Sequence, residues 1–176
     1  GITLDCNGYM IQGNGLGIGL NITDVENATV KNCVIKDFST GIWAVNASGL
    51  SVLDSTLEEV DINTLISDQL NVRNNLCNGT SSFASFTNAS STVIENNKFI
   101  NGSLASGINM IEGTGNTIQN NVIDNRTQPL IGLDRTTFTT VNNNILNGSN
   151  MAGSAYGVVL NNAKNNTIKD NVFRTF

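Results

Sequence analysis

The chain has 176 residues, a formal net charge of −5 at pH 7 and a sequence pI of about 4.5, and only 13% of its residues are charged. This balance disfavours nucleic acid as a partner, because binding a phosphate backbone requires a basic stripe and the nine Lys and Arg residues are scattered. No run of about 18 apolar residues is present, so the sequence predicts neither a membrane span nor a signal peptide.

After an opening segment, the sequence repeats with intervals of 20 to 27 residues. Each unit begins with two apolar residues separated by one position. The first column contains Leu20, Ile42, Ile62, Ala84, Ile108, Ile131 and Val158. The second contains Ile22, Ala44, Thr64, Phe86, Met110, Leu133 and Leu160, of which only Thr64 is polar. This alternation with period two predicts a strand whose apolar side chains share one face.

A second apolar pair begins ten residues after the first residue of each unit, and its second member lies five positions after its first. Its first column is Val30, Val52, Val72, Ile94, Ile118, Val141 and Ile168. Its second column is Ile35, Leu57, Cys77, Phe99, Ile123, Leu146 and Phe173. Each unit therefore supplies two or three short strands separated by corners.

Small polar residues occupy the corner between these two columns. They are Cys33, Ser55, Asn75, Asn97, Asn121, Asn144 and Asn171, preceded by Asn32, Asp54, Asn74, Asn96, Asn120, Asn143 and Asp170. Asn tolerates a left-handed backbone, and inward amides stacked on identical amides can pass hydrogen bonds from coil to coil. We predict an internal Asn ladder at this corner.

A fixed period indicates one short unit stacked many times, and richness in Asn, Gly, Ser and Thr disfavours helical repeats. The sequence therefore predicts an all-β fold, a right-handed single-stranded parallel β-helix of about seven to eight coils. With a single Pro and no charged or Ser-rich linker, residues 1–176 are expected to form one domain. We expect this domain to be a fragment or module of a longer or assembled protein.

Several segments carry a family resemblance. NTIQNNVIDN (116–125), NTIKDNVF (166–173) and TVIENNKFING (92–102) resemble the right-handed parallel β-helix repeat. The opening GITLDCNGYMIQGNG (1–15) resembles the first coil of the periplasmic copper-binding, nitrous-oxide-reductase maturation group and of related carbohydrate-binding and sugar-hydrolase domains. The resemblance covers essentially the whole chain and implies the fold. It implies no single activity, because the group includes lyases, hydrolases, epimerases, adhesins and structural rods.

The sequence implies no metal site and no cofactor. There is no His and no CxxC spacing, and a copper role would be left with Met10, Met110, Met151 and the thiols. An acidic cluster, Glu58, Glu59, Asp61 and Asp68, could in principle hold Ca²⁺, but it lacks a spaced Asp-x-Asp-x-Asp loop and favours a solvated turn.

The three cysteines cannot all pair within one chain. Cys33 and Cys77 fall in interior columns and are interpreted as small buried residues, and the fold is expected to be stable without a disulfide. The alternative is a disulfide between Cys6 and Cys33 that would staple the open first coil.

For an enzymatic role, the best candidates are Glu112, Asp134 and Arg135, with Asp124 and Arg126 nearby. Stacking places Glu112 and Arg135 in adjoining coils, where a surface ion pair is the favoured interpretation. The patch has no isolated pair of carboxylates with separate acid and base roles, and the chain lacks His, the commonest general base. The sequence therefore favours a non-enzymatic role.

Trp43 is the candidate for carbohydrate binding without catalysis. It lies between two inward residues, Ile42 and Ala44, so its ring should point outward, where it could stack on a sugar or on a neighbouring subunit. Tyr9 and Tyr156 are weaker candidates of the same kind.

Nine Asn-X-Ser/Thr sequons favour a secreted or cell-surface glycoprotein. The acceptor residues are Asn21, Asn27, Asn46, Asn78, Asn88, Asn101, Asn125, Asn147 and Asn165. Several coincide with predicted corners, from which a glycan would project outward.

The ends of the solenoid favour assembly. Uncapped end coils expose apolar side chains and unpaired strand groups, so we expect self-association or end-to-end contact with neighbouring modules. The candidate assembly residues are Ile2, Leu4, Val158, Leu160, Ile168, Val172 and Phe173. The sequence thus favours a structural or adhesive module of an extracellular surface filament, sheath or fibre, and the alternative is a carbohydrate-binding or lyase-like β-helix protein.

Overall fold

The computed structural model describes residues 1–79, 84–102, 107–125, 129–148 and 156–174, with only the backbone described for Asn125. Within these ranges the chain forms short β-strands and no helix. The strands are β1 (Thr3–Asp5), β2 (Met10–Gln12), β3 (Ile18–Thr23), β4 (Thr29–Lys31), β5 (Val34–Lys36), β6 (Thr40–Val45), β7 (Ser51–Leu53), β8 (Thr56–Glu58), β9 (Ile62–Leu65), β10 (Asn71–Arg73), β11 (Leu76–Asn78), β12 (Ala84–Thr87), β13 (Val93–Glu95), β14 (Lys98–Gly102), β15 (Ile108–Ile111), β16 (Thr117–Gln119), β17 (Val122–Asn125), β18 (Ile131–Asp134), β19 (Thr140–Asn142), β20 (Ile145–Asn147), β21 (Val158–Asn161), β22 (Thr167–Lys169) and β23 (Val172–Arg174).

These strands form three parallel sheets. Each of the first seven turns contributes one strand to each sheet, and β22 and β23 add an eighth strand to two of them. Sheet A runs β1-β4-β7-β10-β13-β16-β19-β22, sheet B runs β2-β5-β8-β11-β14-β17-β20-β23, and sheet C runs β3-β6-β9-β12-β15-β18-β21. The chain is therefore an all-β solenoid of about seven turns, which confirms the predicted parallel β-helix.

The strand register matches the sequence columns residue by residue. In sheet A, Val30 pairs with Val52, and in sheet B, Ile35 pairs with Leu57. Leu4 and Ile11 extend these two columns by one further turn at the start of the chain. The repeat pattern did not include that turn because its two columns lie seven residues apart instead of five.

The apolar columns fill the space enclosed by the three sheets. In the middle turns Ile42, Leu57, Phe99, Ile123 and Leu146 are all fully buried. Burying such side chains supplies about 1.5 to 3 kcal/mol each, so stacked aliphatic and aromatic residues are the main source of stability in this fold. Thr64 is buried in the same column as the apolar residues, as its position in the repeat predicts.

The predicted Asn ladder is present along the corner between sheets A and B. From Ser55 to Asn171, each ladder side chain accepts a hydrogen bond from the backbone N–H of the ladder residue one turn earlier, over 2.9 to 3.1 Å. Each Asn Nδ2 between Asn75 and Asn144 also donates to the Oδ1 of the next Asn. The ladder is confirmed as an internal structural feature.

The residues that precede the ladder all have a left-handed backbone. They are Asn32, Asp54, Asn74, Asn96, Asn120, Asn143 and Asp170, with φ between 49° and 57°. Short polar side chains tolerate this conformation because they can hydrogen-bond locally. The sequence therefore specifies both the inward amide and the sharp corner that carries it.

The structure corrects the interpretation of Cys33 as a small buried residue that forms no disulfide. Cys6 and Cys33 are joined, which was the alternative interpretation, and the bond connects the first turn to the second. Cys77 is free and fully buried, as its column predicts.

Candidate functional site

The two ends of the solenoid expose residues of the interior columns. Ile2 is 65% exposed at one end, and Leu160 and Phe173 are 51% and 50% exposed at the other. Leu133 and Leu146 occupy the same two columns one turn earlier and are buried. The difference arises because the end coils have a neighbour on one side only.

The remaining candidate assembly residues are also at these ends. Leu4 and Ile168 are exposed in interior columns, and Val158 is half-buried. Val172 is exposed but pairs with the half-buried Ile145 in an outward column, so it lies beside the end surface rather than within the interior stack.

An apolar cavity of about 180 Å³ opens at the first turn. Ile2, Leu4, Leu20, Ile22 and Val25 contribute to its lining. These residues belong to the interior stack of the first two turns.

Trp43 faces outward from sheet C between two asparagines. Its flanking residues Ile42 and Ala44 are fully buried, while Trp43 itself is half-buried. Asn21 and Asn63 pair with it in the neighbouring strands. The arrangement puts an aromatic ring between two amide side chains on a flat strand face.

Asp61 adds a carboxylate to this surface. Asn63 Nδ2 donates to Asp61 Oδ2 over 3.1 Å. Partial burial raises the pKa of Asp61, and the hydrogen bond from Asn63 opposes that effect. The sequence assigned Asp61 to an acidic cluster, whereas the structure associates it with the residues around Trp43.

Glu112, Asp134 and Arg135 come together in one ion-pair network. Arg135 Nε lies 3.1 Å from Glu112 Oε1, and Arg135 Nη1 lies 2.8 Å from Asp134 Oδ2. Asn161 Nδ2 donates to Asp134 Oδ1 over 2.8 Å. The stacking argument placed Glu112 beside Arg135 correctly, and these contacts fit an ion-pair interpretation. Asp124 lies in β17 of sheet B, and Arg126 lies outside the described residues.

Two further surface residues escaped the sequence analysis. Ile66 and Phe138 are 56% and 63% exposed, and both have a left-handed backbone, with φ of 51° and 53°. Such a conformation is unusual for bulky or β-branched residues. The aligned repeats could have revealed both residues, because the residues at the equivalent positions of the other turns are polar or Gly.

The sequon asparagines lie at the surface where their side chains are described. Asn21, Asn27, Asn46, Asn88, Asn101 and Asn165 are exposed, and Asn78 and Asn147 are half-buried. Asn27, Asn46 and Asn101 occupy corners with a positive φ. The side chain of Asn125 lies outside the described part of the chain.

In the described part of the chain, no three His, Cys, Asp or Glu side chains converge as a metal-ligand set. Glu58 and Glu59 line a polar groove of about 480 Å³ with Lys36, whereas Asp68 lies at a different corner. The described residues also contain no helix that could cross a membrane.

Fold and surface together define a β-solenoid protein of the parallel β-helix class. A family model described as periplasmic copper-binding protein (NosD) matches residues 2–175. The chain therefore belongs to the NosD family. The family description places its members in the periplasm, and therefore outside the cytoplasm. This supports the coarser part of the predicted extracellular or cell-surface location.

The other comparisons add no functional information. No curated protein matches the sequence. Among solved structures, the chain is similar to HetL, a pentapeptide repeat protein involved in heterocyst differentiation regulation from the cyanobacterium Nostoc sp. strain PCC 7120. The identity is 10%, the match covers 86% of this chain and 87% of HetL, and the TM-score of 0.26 carries no argument.

The residues of this chain do not fit the copper centre that the family description implies. The sequence contains no His, and Cys6 and Cys33 are bonded to each other. Burial raises the pKa of Cys77 to about 12, so this thiol is neither accessible nor ionised. Met110 is fully buried, Met10 is exposed at the first turn, and Met151 lies outside the described residues.

Proposed function

We propose that the chain is a structural or adhesive β-helix module of an extracellular assembly such as a surface filament, sheath or fibre. In this role the solenoid is a stiff rod whose end coils contact the next module. The observation that carries the proposal is the exposure of interior-column residues at the ends, notably Leu160 and Phe173. Covering them continues the same stacking that buries their equivalents in the middle turns.

Leu160→Asp tests the end contact. A charge in the interior column of the last sheet C strand cannot be buried against another coil without a large desolvation cost, so we expect end-to-end assembly to be lost. Because Leu160 is half exposed in the isolated chain, the variant should still fold. Electron microscopy and light scattering of the native protein and the variant measure the outcome.

Asn96→Asp is the matched control, because it adds the same charge at an exposed corner in the middle of the rod. It should assemble as the native protein does. Filaments of folded Leu160→Asp equal in length and number to those of the native protein would contradict the proposal, as would a native protein that stays a discrete, unassembled particle.

Carbohydrate binding is the second candidate, and the surroundings of Trp43 favour it. An outward indole ring with amides on both sides and the Asp61 carboxylate nearby supplies both a stacking face and hydrogen-bonding groups. The network of Glu112, Asp134 and Arg135 is the other candidate location for this function. Loss of glycan-array binding in Trp43→Ala, with assembly unchanged, would favour sugar recognition at sheet C.

Glycosylation of the exposed sequons remains part of the proposal. Mass spectrometry of the protein from its native source tests it, since an occupied sequon adds the mass of a glycan at its Asn.

A further inference from the structure

The corner between sheets C and A contains two columns of residues with left-handed backbone. The first is Asp24, Asn46, Ile66, Asn88, Glu112, Arg135 and Asn162, and the second is Asn27, Gly49, Gln69, Ser91, Gly115, Phe138 and Asn165. Their φ values lie between 49° and 74°. Phe138 is the aromatic member of these columns and is 63% exposed. A strained backbone that presents an apolar ring to solvent adds nothing to the packing of the fold, which points to an external contact.

The corner segments next to Phe138 are in register from turn to turn. Thr137 forms parallel bridges with Thr114 on one side and Lys164 on the other. Thr136 and Thr139 are fully buried, so Thr137 and Phe138 face outward. The three turns therefore build one continuous surface around the ring.

The space beside the ring is open on one side. Gly115 precedes Phe138 in the column by one turn, a spacing of about 4.8 Å. Gly115 has no side chain, and a Cβ placed there would meet nothing within 4 Å. A flat ligand can therefore lie against the ring without displacing a neighbouring side chain.

Among the described residues, the charged side chains of the corner that carries Phe138 are two cations and two carboxylates. Arg135 is held between Glu112 and Asp134, with the distances given above, and Thr114 and Thr137 provide hydroxyl groups. Arg135 and Lys164 together balance the carboxylates of Glu112 and Asp134, which leaves no excess positive charge to attract an anion. Fixed donors and acceptors beside an apolar ring match a ligand with many hydroxyl groups and one apolar face.

We propose that this corner binds a neutral saccharide, with one sugar ring stacked on Phe138 and its hydroxyl groups hydrogen-bonded to Thr114, Thr137, Glu112 or Arg135. The proposal rests on the carbohydrate-binding candidate described above and names the residue that anchors it. It does not require end-to-end assembly.

Phe138→Gly tests the anchor, because it removes the ring and copies the residue found one turn earlier, Gly115. Native affinity electrophoresis through gels containing neutral polysaccharides (mannan, xylan or a β-glucan), together with a glycan array, measures binding. We expect the native protein to be retarded and Phe138→Gly to bind about tenfold more weakly. Phe138→Tyr keeps the ring and should bind as the native protein does.

Ile66→Gly is the matched control, since it removes the other exposed apolar side chain with left-handed backbone from the same corner. It should bind as the native protein does, and the melting temperatures of the two Gly variants show that both fold. Retardation of Phe138→Gly equal to that of the native protein would overturn the proposal that Phe138 is the anchor. If Trp43→Ala abolished binding in the same experiment, carbohydrate binding would still stand, with its site at Trp43. Absence of any retardation and any array signal for the native protein would overturn both.

Discussion

At the scale of single residues, the buried asparagines are the most demanding part of this structure. Asn121 Oδ1 accepts from both Asn97 N and Asn97 Nδ2, over 2.9 and 3.0 Å. Its Nδ2 donates to Ile94 O and to Asn144 Oδ1. Each such amide is an interior polar group that is tolerated only because its neighbours above and below complete its hydrogen bonds.

Asn121→Ala should therefore be severely destabilising. It removes the acceptor of two buried donors on Asn97 and the donor to Ile94 O, and each buried group left without a partner costs about 1 to 3 kcal/mol. We expect the free energy of unfolding to fall by about 3 to 5 kcal/mol in urea denaturation.

The control is Asn143→Gly, at an exposed corner with φ of 55° where Gly is equally suited. Its free energy of unfolding should change by less than about 1 kcal/mol. A similar loss in both variants would show that the corner conformation, rather than the amide ladder, carries the stability.

Cys77 predicts a dependence of stability on pH. Its pKa is raised from 9.0 to about 12 by burial, so between these values the unfolded chain loses the thiol proton while the folded chain retains it. The contribution of this thiol to the free energy of unfolding is constant below pH 9 and decreases as the pH rises above that value. Between pH 8 and pH 10.5, we expect the native protein to lose about 2 kcal/mol more than Cys77→Val.

Urea denaturation of both proteins at several pH values in this range measures that difference. Since all other titrating groups are shared, they cancel in the comparison. Parallel pH profiles of the native protein and Cys77→Val would contradict the burial of this thiol.

At the scale of elements, the first turn depends on contacts that the other turns do not use. Its corner holds the inserted Asn7 and Gly8, and Tyr9, at the ladder position, is exposed. The ladder therefore stops at Cys33, and the bond from Cys33 to Cys6 replaces the missing amide contact. Asp5 adds an ion pair with Lys31 over 3.2 Å and accepts a hydrogen bond from Asn32 over 2.9 Å.

The variant Cys6→Ser should release this turn. A disulfide that closes a segment with a sequence separation of 27 is worth about 3 kcal/mol, because it limits the freedom of the open chain. We expect faster hydrogen exchange in β1 and β2, while β13 and β16 remain protected. Unchanged exchange in β1 and β2 would mean that strand pairing alone holds the first turn.

At the scale of the whole molecule, the described strands of each turn pair with those of the turns before and after it. Stability is then a sum of turns and of contacts between adjacent turns, so the ends are intrinsically the weakest parts. A partner at either end would raise the stability of the whole rod by supplying the missing contacts.

Membership of the NosD family does not by itself predict copper binding by this chain. The described thiols are bonded or buried, and the chain has no His. We therefore expect far less than one bound copper ion per chain after incubation with Cu(I) or Cu(II) followed by desalting. Elemental mass spectrometry measures the bound copper. The double variant Asn96→His, Asn120→His is a positive control, since it places two imidazoles in adjoining exposed corners. Stoichiometric copper on the native protein would overturn this expectation and direct attention to Met151.

The sequence by itself determined the architecture. Apolar columns, inward amides and corner asparagines recur at matched positions, and each repeat constrains the same strands. The sequence alone therefore places Val30, Ile35 and Asn75 in the interior. Trp43 was placed outward for the same reason, since alternation along a strand is a local property of the chain.

Only the tertiary structure decided which departures from the repeat matter. The first turn required the pairing of Leu4 and Ile11 with the next turn, and the disulfide required Cys6 and Cys33 to meet across adjoining coils. The inward amides of Asn116 and Asn166, which accept from Thr92 N and Thr139 N, required the geometry of the corner between sheets C and A. Phe138 became a candidate site when its exposure and left-handed backbone were seen together. The repeat is a short-range pattern, and it specifies what neighbouring coils have in common. A site arises where one residue differs from the other residues of its column. The structural consequence of that difference depends on contacts between turns.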